Sequence, residues 1–330
     1  MKNIFTILLA LSALIITAQD SLKSNLSLEG SADIYYRRNI STSNAETAPA
    51  TSFANGNGFS LGMFNLISSY DTKNTGFVAD LVFGPRGEDA VFLSTGSSNI
   101  INQLYAYWDV SDNLTLTMGN FNTFLGYEVI SPSGNFNYST SYMFSYGPFS
   151  HSGLKADFNL SENFTGMLAV LNATDATDFN PTNFNTLGFQ LGYKGTYLNA
   201  LYGKQDASLE PTFQLDLTAG YDLSKKFYLG VNSTYNKTDK DGFYGVALYP
   251  QYDLGKLTAG LRGEYFAEIN DGIGAIAPGA NVINFTTTLD YAIENLNLKL
   301  EYRLDKASEQ VFDQKDNLSS IVLAAVYSFN

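Results

Sequence analysis

From Leu296 to Asp305 the chain reads LNLKLEYRLD, and apolar and polar residues alternate there without a miss. A period of two puts Leu296, Leu298, Leu300, Tyr302 and Leu304 on one face of a β-strand and Asn297, Lys299, Glu301, Arg303 and Asp305 on the other. The pattern recurs. Leu26, Leu28, Ala32, Ile34 and Tyr36 oppose Glu29, Asp33 and Arg37, and Leu104, Ala106, Trp108 and Val110 oppose Gln103, Tyr105, Tyr107 and Asp109. Similar stripes run through Phe77–Phe83, Phe213–Tyr221, Leu257–Tyr265, Ile283–Tyr291 and Ile321–Phe329. None of the apolar stripes carries a charge, as expected of a face in hydrocarbon, where Lys or Arg costs about 2–4 kcal/mol at the midplane. Alternation and turn residues together predict roughly sixteen strands.

The connections alternate as well. Short polar turns at 111–113, 161–163, 223–226, 254–256 and 294–295 are interleaved with long Asn-, Ser-, Gly- and Pro-rich stretches at 39–57, 85–98, 122–150, 173–183, 268–280 and 306–316. Short turns on one rim and long loops on the other predict an all-β, transmembrane, antiparallel up-and-down barrel with periplasmic turns and extracellular loops. Seven of the eight prolines fall in the long loops or at their edges, where no ladder donor is needed. Pro250 is the exception: it lies inside the twelfth predicted strand and calls for a bulge or an early strand end. The second strand, 58–71, has Leu61 and Met63 on one face against Phe64 and Leu66 on the other, so its register cannot be read.

Composition narrows the compartment. The start, MKNIFTILLALSALIITAQDS, carries one Lys and then an apolar run too short for a spanning helix, which needs roughly 20 residues. It reads as a signal peptide, 1–18, ahead of a barrel domain, 19–330. The chain has no Cys, hence neither a lipoprotein anchor nor a disulfide framework. Its 22 Tyr and 24 Phe are a heavy aromatic load for a chain whose mean hydropathy is close to zero, and an alternating barrel reconciles the two. The net charge of -13 argues against nucleic acid as a partner. The expected partners are outer-membrane lipid, small solutes or ions and, during biogenesis, the assembly machinery that reads an aromatic-ended last strand; a homo-oligomer is compatible with the pattern. Here that strand ends Tyr327-Ser328-Phe329-Asn330.

Chemistry is sparse. The one His, His151, sits between Ser150 and Ser152, and neighbours in a strand point to opposite faces, so it reads as a structural histidine. Asp239-Lys240-Asp241-Gly242 echoes part of a calcium loop without its remaining ligands and reads as a loop tip. No cofactor or metal motif appears, and no enzyme is expected.

The longest connection is the distinctive one. Its Gly126-Tyr127-Glu128, Asn135, Asn137-Tyr138-Ser139 and Pro148-Phe149, followed by His151 and Gly153, resemble the OmpL-like family of β-barrel porins. That resemblance implies a bacterial outer-membrane channel. Independently, a third long loop carrying Tyr127, Phe136, Tyr138, Tyr142, Phe144 and Tyr146 is badly suited to lie in water. The expectation is that 122–150 folds inward to narrow the lumen with Glu128 facing the pore. Arg37, Lys299, Arg262 and Arg303 would then supply a basic wall opposite it and set up a transverse field. For each of these residues the plain alternative is an ordinary wall ion pair, such as Arg262 with Glu264 or Arg303 with Glu301. The function expected is passive diffusion of small hydrophilic solutes through a water-filled lumen. The alternative is a non-conducting structural or adhesive barrel whose extracellular loops bind partners.

Overall fold

The alternating segments all become strands. The structure, a computed structural model, describes residues 25–330, and the expected signal peptide, 1–18, lies outside the described residues. The strands are β1 (Leu26–Asn39), β2 (Gly58–Asp71), β3 (Thr75–Phe83), β4 (Ile101–Ser111), β5 (Leu114–Asn122), β6 (Ser150–Asn159), β7 (Phe164–Leu171) and β8 (Thr186–Tyr193). They continue as β9 (Thr196–Gly203), β10 (Thr212–Asp222), β11 (Phe227–Thr238), β12 (Asp241–Asp253), β13 (Leu257–Ile269), β14 (Asn281–Ile293), β15 (Leu296–Ala307) and β16 (Asn317–Phe329). Each pairs antiparallel with its sequence neighbours, and β1 closes on β16 with Gly30 opposite Phe329 and Asn39 opposite Ser320. Closure leaves no free edge, so every strand has a ladder on both sides.

The outward stripes are where the alternation put them. Leu26, Leu28, Ile34, Leu104, Trp108, Leu300 and Tyr302 are all exposed, while Asp33, Arg37, Lys299, Glu301 and Arg303 are buried on the lumen side. Phe329 stacks on Phe64 of β2 at 6.4 Å, sealing the seam between the first and last strands.

Both irregular places have a physical resolution. In β2, Ala32 pairs with Phe64 but Ile34 pairs with Leu61, so Gly62 and Met63 together oppose Asp33. This bulge switches the parity of the strand: Phe59 and Leu61 on one side of it, and Phe64 and Tyr70 on the other, all face outward. The Met63 N–H donates to Asp33 Oδ1 at 2.9 Å, and a Cβ on Gly62 would collide with that carboxylate. Pro250 needs neither a bulge nor a strand end. It pairs with Leu229 of β11, while pairing to β13 lapses over Tyr249 and Pro250 and resumes at Gln251–Gly260 in the register already set by Leu248–Gly263. The missing N–H is thus confined to one ladder.

Against the expectation of an aqueous interior, loops and apolar side chains cover much of the inner wall. Phe243, Tyr249, Phe266, Val282 and Leu318 face inward and pack with Tyr142 and Met143 of the long third loop and with Ala275 and Phe312 of two others. A second cluster joins Val322, Ala324 and Val326 to Tyr35, Ala54 and Tyr138. A third packs Phe53, Ile130, Phe144 and Phe149 against Val82 and Ala90, the latter from the short helix α1 (Pro85–Ala90). Alternation predicted the lipid side correctly; the other face is lined by apolar as well as polar side chains because loops enter and cover it.

Candidate functional site

The segment between β5 and β6, residues 123–149, crosses from one side of the barrel to the other, and its partners sit on the lumen side of their strands. It carries the one-turn helix α2 (Tyr142–Tyr146), capped by Ser141, whose Oγ accepts from the Phe144 N–H at 3.1 Å. Charged wall residues satisfy part of its polar backbone. Glu301 of β15 accepts the N–H groups of Tyr138 and Ser139. Glu264 of β13 accepts those of Tyr142 and Met143 at 3.0 and 2.8 Å. Asp216 of β10 accepts that of Gly126 at 2.9 Å. In the other sense, Lys299 donates to the carbonyls of Asn135 and Phe136, Arg303 to that of Thr140 and Arg262 to that of Ser139.

The residues singled out from sequence are therefore placed differently from the expectation. Glu128 does not look across an open eyelet at a basic wall. It is buried, makes an ion pair with Arg262 at 2.7 Å, and accepts the Ser141 N–H at 2.8 Å. Opposite charges in contact cancel locally, so these two set up no field across the lumen. The alternative neighbour pairs do not form either: Arg262 takes Glu128 in place of Glu264, and Arg303 takes Asp305, at 2.8 Å, in place of Glu301. Lys299 pairs with Asp290 at 3.1 Å. Arg37 lies away from Glu128. It donates to Asn39 Oδ1 at 2.7 Å and to the carbonyls of Thr47 and Asn55, tying down the loop that follows β1. Of the five, Glu128, Arg262, Arg303 and Lys299 meet at the third loop, and Arg37 holds the first.

Two features escaped sequence reasoning. One is Arg86 of α1, buried between the rings of Phe53 and Tyr138 and donating to the carbonyls of Ile130 and Tyr138. A loop arginine carries no periodic signal that could have marked it. The other is a set of inward-facing glycines, each lying under one side chain of the third loop. A Cβ on Gly188 would come within 2.8 Å of the Phe124 ring, on Gly230 within 2.4 Å of Tyr127, on Gly245 within 2.7 Å of Met143, and on Gly260 within 2.3 Å of Phe136. Glycine weakens a strand, so its repetition at lumen positions was a readable sign of close approach. Tyr127 also stacks on Tyr249 at 4.3 Å and bonds its hydroxyl to that of Tyr228 at 3.0 Å.

Where the loop returns to β6, Asp175 accepts the N–H groups of Phe149 and Ser150 at 2.7 and 2.8 Å. Burial pushes its carboxyl up to about 6, against the lowering effect of those two bonds. His151 is buried beside Phe124 and bonds Thr123 Oγ1 at 3.0 Å, a structural setting. Asp239-Lys240 forms the tight turn between β11 and β12. Toward the short strands, Tyr105, Lys155, Asp157 and Gln190 remain partly exposed on the lumen side.

Comparison with known proteins agrees with this architecture. The chain is similar in fold to the outer-membrane channel DcaP of Acinetobacter baumannii, with a TM-score of 0.65 at 14% identity, covering 92% of this chain and 97% of that one. It is similar to the anion-selective porin of Comamonas acidovorans, with a TM-score of 0.61 at 13% identity, covering 93% and 100%. It also resembles the trimer form of OmpT from Vibrio cholerae, with a TM-score of 0.54 at 9% identity, covering 92% and 99%. No curated protein matches the sequence. The family profile described as "Putative beta-barrel porin-2, OmpL-like" matches residues 25–329, which is nearly the whole described barrel. The chain belongs to that family and is a porin-like channel of the bacterial outer membrane, not an enzyme.

Proposed function

We propose that the protein passes small hydrophilic solutes or ions by passive diffusion and that the 122–150 loop narrows its lumen. The observation that carries this reading is the seating of the loop: Gly188, Gly230, Gly245 and Gly260 each leave room for one of its side chains. A loop free to lie outside the mouth would need no such room. In this reading Glu128, Arg262, Arg303 and Lys299 are anchors of the constriction, Arg37 is an anchor of the first loop, and none of them is a charge offered to the solute. Selectivity then falls to the partly exposed groups along β4, β6 and β8, where Lys155 and Asp157 pair at 2.7 Å with side chains 25% and 39% exposed. A homo-oligomer belongs to the proposal, since one OmpT is described in a trimer form; light scattering of the detergent-solubilised protein gives its mass. The reading as a channel is tested in planar bilayers. Discrete conductance steps are expected, and deleting residues 129–140 should raise them. A folded, inserted protein that never conducts would support the adhesive barrel instead.

A further inference from the structure

On the short-turn side of the third loop lies a cavity of about 460 Å³, lined among others by Tyr127, Phe136, Tyr228, Gln251, Asp290 and Asn297. That volume falls within the roughly 300–1,000 Å³ of small-ligand sites. Strand register explains why these groups converge. Tyr228 pairs with Gln251, and Gln251 pairs with Gly260, over which the Phe136 ring is seated. A phenol, a primary amide and an aromatic ring are thus set in a row across β11, β12 and β13.

The bonding state of the lining defines what it can hold. Among the described residues, no hydrogen bond engages the Gln251 side chain. The Tyr228 hydroxyl accepts from Tyr127 at 3.0 Å and keeps its own proton to donate. Asn297 donates to Asp290 at 2.8 Å and keeps its amide oxygen as an acceptor. The charges, by contrast, are already used. Lys299 Nζ reaches the Asn135 carbonyl at 2.8 Å, the Phe136 carbonyl at 2.9 Å and Asp290 at 3.1 Å, which accounts for its three donors. A dicarboxylate would find no free cation here, and an ammonium would meet a carboxylate already neutralised. What remains is apolar ring surface beside groups that both donate and accept.

We propose that this cavity is a binding site for a neutral saccharide of one or two rings. The C–H bonds of a pyranose are polarised by the neighbouring oxygens and lie against the negative face of an aromatic ring. Its hydroxyls each donate and accept, which matches the Gln251 amide, the Tyr228 hydroxyl and the Asn297 oxygen. Because the cavity opens toward the short turns, a sugar reaches it without passing the third loop when it arrives from the periplasmic mouth. The physiological use of the site rests on the channel reading; the binding does not.

Two measurements separate the two. Saturation-transfer NMR on the detergent-solubilised protein, with sucrose as the probe and succinate as the charged control, reads binding without conduction. Transfer to sucrose and not to succinate is expected, and Gln251→Leu should weaken it about fivefold to tenfold, the loss of one or two hydrogen bonds. Tyr228→Phe should weaken it less, which guards against a Gln251 variant that merely folds poorly. Equal transfer to both probes, or none to sucrose, would overturn the site. In bilayers, sucrose on the periplasmic side should interrupt the current more often than sucrose on the other side. Sugar binding without conductance would sink the channel reading and leave the site standing; conductance without sugar binding would do the reverse.

Discussion

The barrel has two unequal arcs. Strands β3 to β9 are 8–11 residues long, whereas β10 to β16 together with β1 and β2 are 11–14. About 9–11 residues suffice to cross the hydrocarbon, so the taller arc has length to spare for the lumen. It uses that length to hold the third loop by charge: Arg262, Glu264, Lys299, Glu301 and Arg303 all lie on β13 and β15. On the shorter arc the strands hold the same loop by weaker means, with Gln190 donating to the Phe124 carbonyl at 3.4 Å and Gly188 making room for that ring. The charged holds come from the connections instead: Arg86, after β3, donates to the Ile130 carbonyl at 2.8 Å, and Asp175, after β7, accepts the Phe149 N–H at 2.7 Å. The shorter arc keeps Tyr105, Lys155, Asp157 and Gln190 partly exposed. The loop is thus fastened by charges on the strands themselves at the taller arc and by charges on the connections at the shorter one.

The largest expected effect comes from removing the fastening. Arg262 donates to Glu128, Asn284, Thr286 and the Ser139 carbonyl. Arg262→Met strands the Glu128 charge in a buried place, a loss of about 3–5 kcal/mol. The loop should then become cleavable by protease between 123 and 149 in detergent, and conductance should rise. Adding Glu128→Leu should restore part of the protection. If Arg262→Met is cut no faster than the parent protein, the taller arc does not hold the loop.

A smaller effect is expected from filling one of the wall depressions. Gly230→Val forces Tyr127 off the wall and should cost about 1–3 kcal/mol as overpacking. Gly263 faces lipid, where a Cβ meets Phe285 at 3.6 Å, an ordinary contact. Gly263→Ala should therefore leave thermal unfolding unchanged, and equal unfolding temperatures for the two variants would remove the argument from wall glycines.

The smallest effect lies on the shorter side, at Asp175. Its carboxyl is raised to about 6 by burial, so the neutral form is favoured in the folded state. The stability it lends the loop end is therefore greatest at low pH and is lost as pH rises through about 6. Between pH 5 and pH 7.5 the loss should be on the order of 1 kcal/mol, about tenfold in local opening. Hydrogen exchange at the Phe149 and Ser150 amides, corrected for intrinsic rates, should show this in the parent protein and be flat in Asp175→Asn. A flat profile in both would mean that Asp175 stays ionised throughout.

These arcs also explain what the sequence could and could not reveal. Hydrocarbon imposes one rule at every outward position, so Leu296 to Leu304 or Phe213 to Tyr221 can be read in isolation. Even the exceptions were visible as exceptions: Leu61 and Phe64 clashed in parity because a bulge lies between them. The lumen follows no local rule. Glu128 finds Arg262 across 134 positions of chain, and Tyr138 finds Glu301 across 163. Strand pattern identified both members of each pair as inward or loop residues but carried no information on which would meet. Residue type pointed to a site at the third loop; only the folded register could convert an imagined field across a pore into a set of contacts.

The wall depressions have an evolutionary corollary. A Phe, Tyr or Met projecting from the third loop is tolerated because the facing strand has given up its own side chain, at Gly188, Gly230, Gly245 and Gly260. Loop and cylinder are consequently matched like key and lock, and neither can drift alone. Grafting this loop into a relative with bulkier wall residues should leave it stranded outside, whereas transplanting the four glycines along with it should let it dock.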